Sequence, residues 1–139
     1  MCDMQIYLAG PSFFLEDEGR EWRNKATQIL HQTTENRDVK VRVMNPIDFF
    51  SYSEARHQSD TQVKRYYMDQ IAHSRLVLVN LDQTRTSPGT AQELQYASDH
   101  DIPIVGFGGE EVYPWLKADC QCVFPSMLQA IDYIVEYYM

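Results

Sequence analysis

Apolar and polar positions change period several times along the chain, and each change marks an element. Gln5-Ile6-Tyr7-Leu8-Ala9 is a short apolar run halted by Gly10-Pro11, the length and punctuation of a buried strand entering a turn. From Glu16 to Gln32 the residues Trp22, Ala26, Ile29 and Leu30 recur at helical spacing, and Glu16, Asp17 and Glu18 stand at the end where a helix dipole favours anions. Val39, Val41 and Val43 then alternate with Lys40, Arg42 and Met44 up to Asn45-Pro46, which predicts a second strand. Residues 46–59 keep neither period and read as a long covering loop or partner contact.

Asp60 to His73 predicts a helix capped by Ser59 or Asp60, with Asp69 in its last turns. Leu76 to Leu81 is almost wholly apolar, as in a central strand covered on both faces. Pro88 to His100 reads as a helix with Pro in its first turn and Ala91, Leu94 and Ala97 inward. Ile102 to Phe107 is a fourth strand, and the stretch opened by Gly108-Gly109 is irregular. Cys122 to Phe124 is a fifth strand, and Pro125 to Tyr138 a last helix with Leu128, Ile131 and Ile134 or Val135 on one face. Strands alternating with helices predict a five-stranded parallel sheet with right-handed crossovers, a three-layer α/β sandwich. Ligands of such sheets lie beyond the carboxyl ends of the strands where strand order reverses, which selects residues 7–14, 45–59 and 81–93.

The 139 residues fit one domain, 1–139. The longest uncharged runs, Met4 to Leu15 and Cys120 to Ile131, have 12 residues each and contain Pro, too short for a membrane span. No basic residue precedes the first apolar run, so a cytosolic location is expected. The formal charge of −8 disfavours a nucleic-acid polymer or an anionic membrane as partner and leaves a small molecule open. Residues 1–75 hold ten basic and eleven acidic groups, whereas residues 76–139 hold Arg85 and Lys117 against nine acids, so cations for a phosphate site would come from the first half. Three Cys, with Cys120 and Cys122 lacking a second Cys/His pair, suggest neither a disulfide framework nor zinc; no metal or cofactor is implied.

The segment Ser87-Pro88-Gly89-Thr90-Ala91-Gln92-Glu93 follows the central strand and opens a helix. Gly89 permits close backbone approach, the helix N-terminus favours an anion, and Glu93 lies within two turns of it. Alone, the segment also fits an ordinary capped helix with a solvated acid. Arg20 and Arg23 could reach a phosphate from the first helix, though one solvent-facing turn of charge explains them as well, and Arg56 and His57 on the covering loop read the same way. His31, His73 and His100 sit at helix ends, and Tyr133, Tyr137 and Tyr138 read as packing or subunit contact.

Three segments taken together change that balance. Ile6 to Phe14, Tyr67-Met68-Asp69, and Ser87 to Ala97 with Ile102-Pro103-Ile104 resemble the nucleoside 2-deoxyribosyltransferase family over about residues 5–107, Gly-Thr-x-x-Glu being the most specific element. The resemblance implies a flavodoxin-like fold, Glu93 as nucleophile, Tyr7 orienting it, Asp69 touching base or sugar as proton donor, and a homo-oligomer. Gly10, Pro11, Phe13, Ser87, Gly89 and Thr90 are then the expected substrate contacts, with Phe13 and Phe14 offering apolar surface to a planar base and Asp48 a second candidate acid. The chemistry agrees. Breaking an N-glycosidic bond generates an oxocarbenium-like sugar, which a carboxylate beneath the anomeric carbon stabilises and can trap.

The chain departs from that pattern in two places. Transferases acting on free nucleosides carry Asp six residues before the nucleophile, and this chain has Ser87. The related 2'-deoxynucleoside 5'-phosphate N-hydrolases have Ser there and use it on the phosphate, which points to a nucleotide. Residues 117–123 offer Asp119, Cys120 and Gln121 where the transferases use a late Asn. The expected activity is therefore cleavage of a 2'-deoxyribonucleoside or its 5'-monophosphate, the sugar passing to another base or to water. Hydrolysis alone and a non-catalytic nucleotide sensor are the alternatives.

Overall fold

A computed structural model describes residues 2–11, 17, 19–46, 59–84, 87–109 and 112–139. Five strands alternate with five helices: β1 (Cys2–Ala9), α1 (Arg20–Thr34), β2 (Val39–Met44), α2 (Asp60–Ala72), β3 (Leu76–Asn80), α3 (Pro88–Asp99), β4 (Ile104–Phe107), α4 (Pro114–Asp119), β5 (Cys122–Phe124) and α5 (Met127–Tyr138). The strands form one sheet in the order β2-β1-β3-β4-β5, every neighbouring pair parallel. This is the flavodoxin-like order, and its reversal point falls between β1 and β3. Among the described residues no helix is long and apolar enough to cross a membrane.

Strand alternation sorts the core into two layers. Ile6 and Leu8 of β1 and Leu76 and Leu78 of β3 point to one face, where Ala26 and Leu30 of α1 and Ile131 and Ile134 of α5 cover them. Tyr7 and Ala9, with Val77 and Val79, point to the other, against Ile71 of α2, Leu94 and Ala97 of α3 and Leu116 of α4. Because β3 is buried on both faces, its sequence is a continuous apolar run.

The elements differ from the pattern reading mostly at their ends. β1 begins at Cys2 rather than Gln5 because its first six residues pair with the whole of β2, from Cys2 opposite Val39 to Tyr7 opposite Met44; the charged Asp3 had hidden that start. α1 starts at Arg20 rather than Glu16, since Gly19 adopts the left-handed conformation with φ 73°. The Asp17 carboxylate accepts from the Gly19 and Glu21 backbone N–H groups at 2.9 and 3.2 Å. Of the two capping candidates for α2, Ser59 serves, accepting from Gln62 N at 3.1 Å. The irregular stretch contains the short helix α4. On α5 the buried stripe is Ala130, Ile131, Ile134 and Val135, whereas Leu128, at the margin of that stripe, is 54% exposed.

A Cβ on Gly19 would stand 2.5 Å from the Pro11 carbonyl oxygen, in a backbone conformation that L residues rarely adopt. Gly89, in the first turn of α3, has nothing among the described residues within 4 Å of where its Cβ would stand. Gly19→Ala is expected to cost about 2 kcal/mol or more. Gly89→Ala should leave stability unchanged or raise it by up to about 1 kcal/mol, and the urea midpoints of the two variants check the contrast.

Candidate active site

Tyr7 is the penultimate inward residue of β1 on the α2/α3 face and is wholly buried. Its hydroxyl donates to Glu93 Oε2 in a short hydrogen bond that joins β1 to α3 across the layer. Glu93 comes from the second turn of α3, where Leu94 and Ala97 anchor the helix to the sheet and leave the carboxylate at its carboxyl end. The site thus lies at the reversal point of the strand order, the place the topology assigns to ligands.

α3 opens with Pro88 in its first turn and Ser87 as N-cap. Ser87 Oγ does not cap a backbone N–H; it lies 2.6 Å from Thr90 Oγ1, and Thr90 is 1% exposed. The half-buried Ser87 and the exposed Gly89 therefore stand at the end of α3 where free helix N–H groups and the positive dipole end lie, with Thr90 buried behind them. Gly10 closes the end of β1, because a Cβ there would meet Trp22 Cζ2 at 2.9 Å and Asn80 Cβ at 3.2 Å. Behind it, Trp22 Nε1 is a buried donor with no hydrogen-bond partner among the described residues. Asn80 Oδ1 accepts from Asp82 N at 2.9 Å, and Asp82 Oδ1 accepts from Gly109 N at 2.7 Å, tying the ends of β3 and β4 together.

The structure brings Tyr7 and Glu93 together, with Gly10 and Pro11 directly after β1 and Ser87, Gly89 and Thr90 at the start of α3. It does not bring Asp69 to them. Asp69 faces outward on α2, its side chain 65% exposed and 3.6 Å from His73 Nδ1. Two residues are ~200° apart around a helix, and the inward position belongs to Tyr67, which shares a face with the buried Ile71. The Tyr67 hydroxyl donates to Pro46 O at 2.8 Å, and its field is felt by both Tyr7 and Arg23. Phe13, Phe14, Asp48, Arg56 and His57 lie outside the described residues, as does the loop or lid stretch 47–58.

Arg23 overturns its reading as a solvent-facing charge. It is 2% exposed, because it falls on the buried stripe of α1 with Ala26, Leu30 and Thr34, and its guanidinium binds backbone carbonyls at the end of β1. Cys120 is an unsuitable nucleophile, since burial pushes its thiol up to about 12. Among the described residues no three His, Cys, Asp or Glu side chains gather as a metal site would need.

Burial governs the titration of the pair. It pushes the Glu93 carboxyl up to about 7, against the hydrogen bond from Tyr7 and the charge of Arg23, which pull down. Burial, then the charge of Glu93, holds the Tyr7 phenol well above its ordinary value, so Tyr7 remains a donor. The linkage follows from these directions. Below about pH 4.5 the group is protonated folded and unfolded alike; above it the unfolded chain loses the proton that the folded chain keeps until about pH 7, so stability falls as pH rises through that window. Glu93→Gln, which keeps an acceptor for Tyr7, is expected to match the wild type near pH 5 and to exceed it at pH 8 by up to about 3 kcal/mol. Denaturant titrations of both proteins at the two pH values measure the difference.

The family model for nucleoside 2-deoxyribosyltransferases matches residues 6–122. No curated protein matches the sequence. Among solved structures, the chain is similar to a 2-deoxyribosyltransferase from Bacillus psychrosaccharolyticus, at 22% identity and TM-score 0.69 over 93% of this chain and 91% of that one. It is similar to a 2-deoxyribosyltransferase from Leishmania mexicana, at 21% identity and TM-score 0.65 over 98% and 99%. A CMP N-glycosidase from Clostridium botulinum shares the fold at 17% identity and TM-score 0.57 over 96% and 99%. Those likenesses carry the fold, and the family match extends over most of the chain: the protein belongs to the nucleoside 2-deoxyribosyltransferase family.

Proposed function

We propose that this chain cleaves the N-glycosidic bond of a 2'-deoxyribonucleoside 5'-monophosphate or the parent nucleoside through a covalent glycosyl-Glu93 intermediate. The observation that carries the reading is the hydrogen bond from the buried Tyr7 to the half-buried Glu93 near the carboxyl end of β1. A carboxylate withdrawn from water and aimed by a phenol is costly to maintain, and it suits a reaction that develops positive charge on a sugar carbon.

In the first step a Glu93 oxygen bonds to the anomeric carbon while the carbon–nitrogen bond breaks. The electron pair leaves with the base, which takes up a proton from water or from the groups that cover it. Tyr7 keeps its proton and holds the second carboxylate oxygen, so the attacking oxygen is presented in one orientation. In the second step water or another base attacks the same carbon from the opposite face and expels the Glu93 carboxylate. Two inversions give net retention. Asp69, turned outward and paired with His73, has no part in this scheme.

The Ser87–Thr90 hydroxyl pair favours the monophosphate, because hydroxyls and backbone N–H groups at a helix N-terminus recognise a phosphate dianion. A sensor would need the same anion site without a buried nucleophile. The active form is proposed to be a homo-oligomer, consistent with the exposed Tyr113, Trp115 and Tyr137; light scattering of the purified protein should give a mass above that of one chain.

Glu93→Ala is expected to lower base release from 2'-deoxynucleoside monophosphates by several powers of ten, on the order of 10³ or more. The wild type, quenched during turnover, should carry the sugar mass on the peptide containing Glu93. Near wild-type release by Glu93→Ala would end the nucleophile assignment. Ser87→Ala should raise KM for monophosphates and spare free nucleosides, measured by chromatography with and without a second free base; an equal effect on both substrates would remove the phosphate role.

A further inference from the structure

The outer side of the α2/α3/α4 layer carries a knob and a hollow of matching chemistry. The knob is Tyr113 and Trp115, which flank Pro114 at the start of α4 with ring centroids 5.8 Å apart and planes tilted by 41°. Leu116 is the buried residue of that short helix, and the rings are turned to solvent, Trp115 74% and Tyr113 58% exposed. A tryptophan left in water beside a second aromatic ring marks a contact surface, because its large apolar area is the kind that anchors interfaces. The hollow is a groove of about 550 Å³ between α2 and α3, lined among the described residues by Thr61, Lys64, Arg65, Met68, Asp69 and Tyr96. Met68 and the Tyr96 ring give it apolar walls, and Lys64 and Arg65 bring cations to where an aromatic face would enter.

Knob and hollow are placed to meet across a two-fold axis. α3 packs against α2 on one side and α4 on the other. Met68, Tyr96 and Trp115 each stand about one turn before the ends of their helices, at Ala72, Asp99 and Asp119, and those ends lead back into β3, β4 and β5. Groove and indole therefore lie at the same height on the layer. A two-fold axis parallel to α3 and just outside it keeps that height while exchanging the two flanks, which carries α4 of one copy over α2 of the other. Each copy then gives one knob and receives one, as an isologous contact requires.

Charge and area agree with a second copy as the occupant. A chain of net charge −8 repels itself except where opposite signs face each other. Residues 76–139 hold nine acids against Arg85 and Lys117, and Glu110-Glu111 stand just before the knob in the sequence, whereas the groove offers Lys64 and Arg65 against Asp69. The α4 flank thus meets the cations of α2. Helices of 13 and 12 residues are about 20 Å long and about 10 Å wide, so with the shorter α4 the face covers about 500 Å² per copy. The two copies together bury about 1,000 Å², the lower bound for a specific interface.

We propose that two copies of this chain associate through the α2/α3/α4 face, Trp115 of each filling the α2–α3 groove of the other. This gives the homo-oligomer proposed above its surface, and it does not depend on which residue is the nucleophile.

Tryptophan emission tests it, since Trp22 and Trp115 are the two tryptophans and Trp115→Phe supplies the Trp22 signal to subtract. Light scattering should give the mass of two chains or an even multiple. On dilution the Trp115 emission should move to the red and become open to acrylamide, with the same midpoint as the fall in mass. Trp115→Ala and the double variant Lys64→Glu/Arg65→Glu alter exposed positions and should keep the wild-type circular dichroism; each should weaken association at least about tenfold. Leu128→Ala, on the exposed side of α5 in the opposite layer, should leave the mass unchanged. A single-chain mass at every concentration overturns the proposal, and the groove then belongs to some other occupant. A dimer in which acrylamide still reaches Trp115 freely, or one that survives both the Ala and the double variant, overturns it as well. If Trp115→Ala fails to fold, the double variant decides. Base release from a protein that stays a single chain would defeat this interface and leave the glycosidase reading standing, whereas a dimer that behaves as expected but releases no base would do the reverse.

Discussion

A carboxylate taken out of water must find a donor or give up its charge, and in this protein the donor is the Tyr7 hydroxyl. Much else follows from that requirement. Tyr7 is inward on β1, so β1 must lie deep in the sheet, paired on both sides by β2 and β3. Glu93 must meet it from α3, so the crossover from β3 has to return α3 over β1, as the strand order provides. Ala9, Leu94 and Ala97, small or aliphatic, let helix and strand approach closely enough for a phenol to span the gap. The hydrogen bond is the point where sheet order, helix placement and chemistry impose the same demand.

Polar groups from both helical layers converge near the end of β1. Tyr7 and Glu93 belong to the α2/α3 side, whereas Arg23 rises from α1 on the other, over the carbonyls at the end of β1. At the sheet's carboxyl edge polar groups from the two layers meet without opening the core. That edge carries Gly10 and the neighbouring ends of β3 and β4, which Asn80 and Asp82 tie down.

How far the sequence disclosed this can be judged residue by residue. β3 and the inward side of β1 were legible because burial on both faces leaves an unbroken apolar run, whereas the meeting of Glu93 with Tyr7 was expected only from three segments read together as a family resemblance, the turn before α3 alone fitting an ordinary capped helix. Arg23 was misread because charge is ordinarily a mark of the surface. Its spacing from Ala26 and Leu30 was the available signal, placing it on the buried stripe. Asp69 and Tyr67 show the converse. A carboxylate looks more chemical than a phenol, but Tyr67 stands one helical turn before the buried Ile71 and so faces inward, while Asp69 faces water. The short helix α4 has too few residues to display a period, and only Leu116 gives it an inward side.

The titration of Glu93 has an evolutionary consequence. Because its ionised form is held against the preference of its surroundings, a lineage released from the need to turn over substrate gains stability by a single change to Gln. The pocket, the α3 N-terminus and the fold would all survive that step. Binding proteins descended from such an enzyme are therefore one substitution away and lie downhill in folding free energy, whereas the return to catalysis runs uphill. On the proposed nucleophile role, selection on the reaction is what keeps the acid in place.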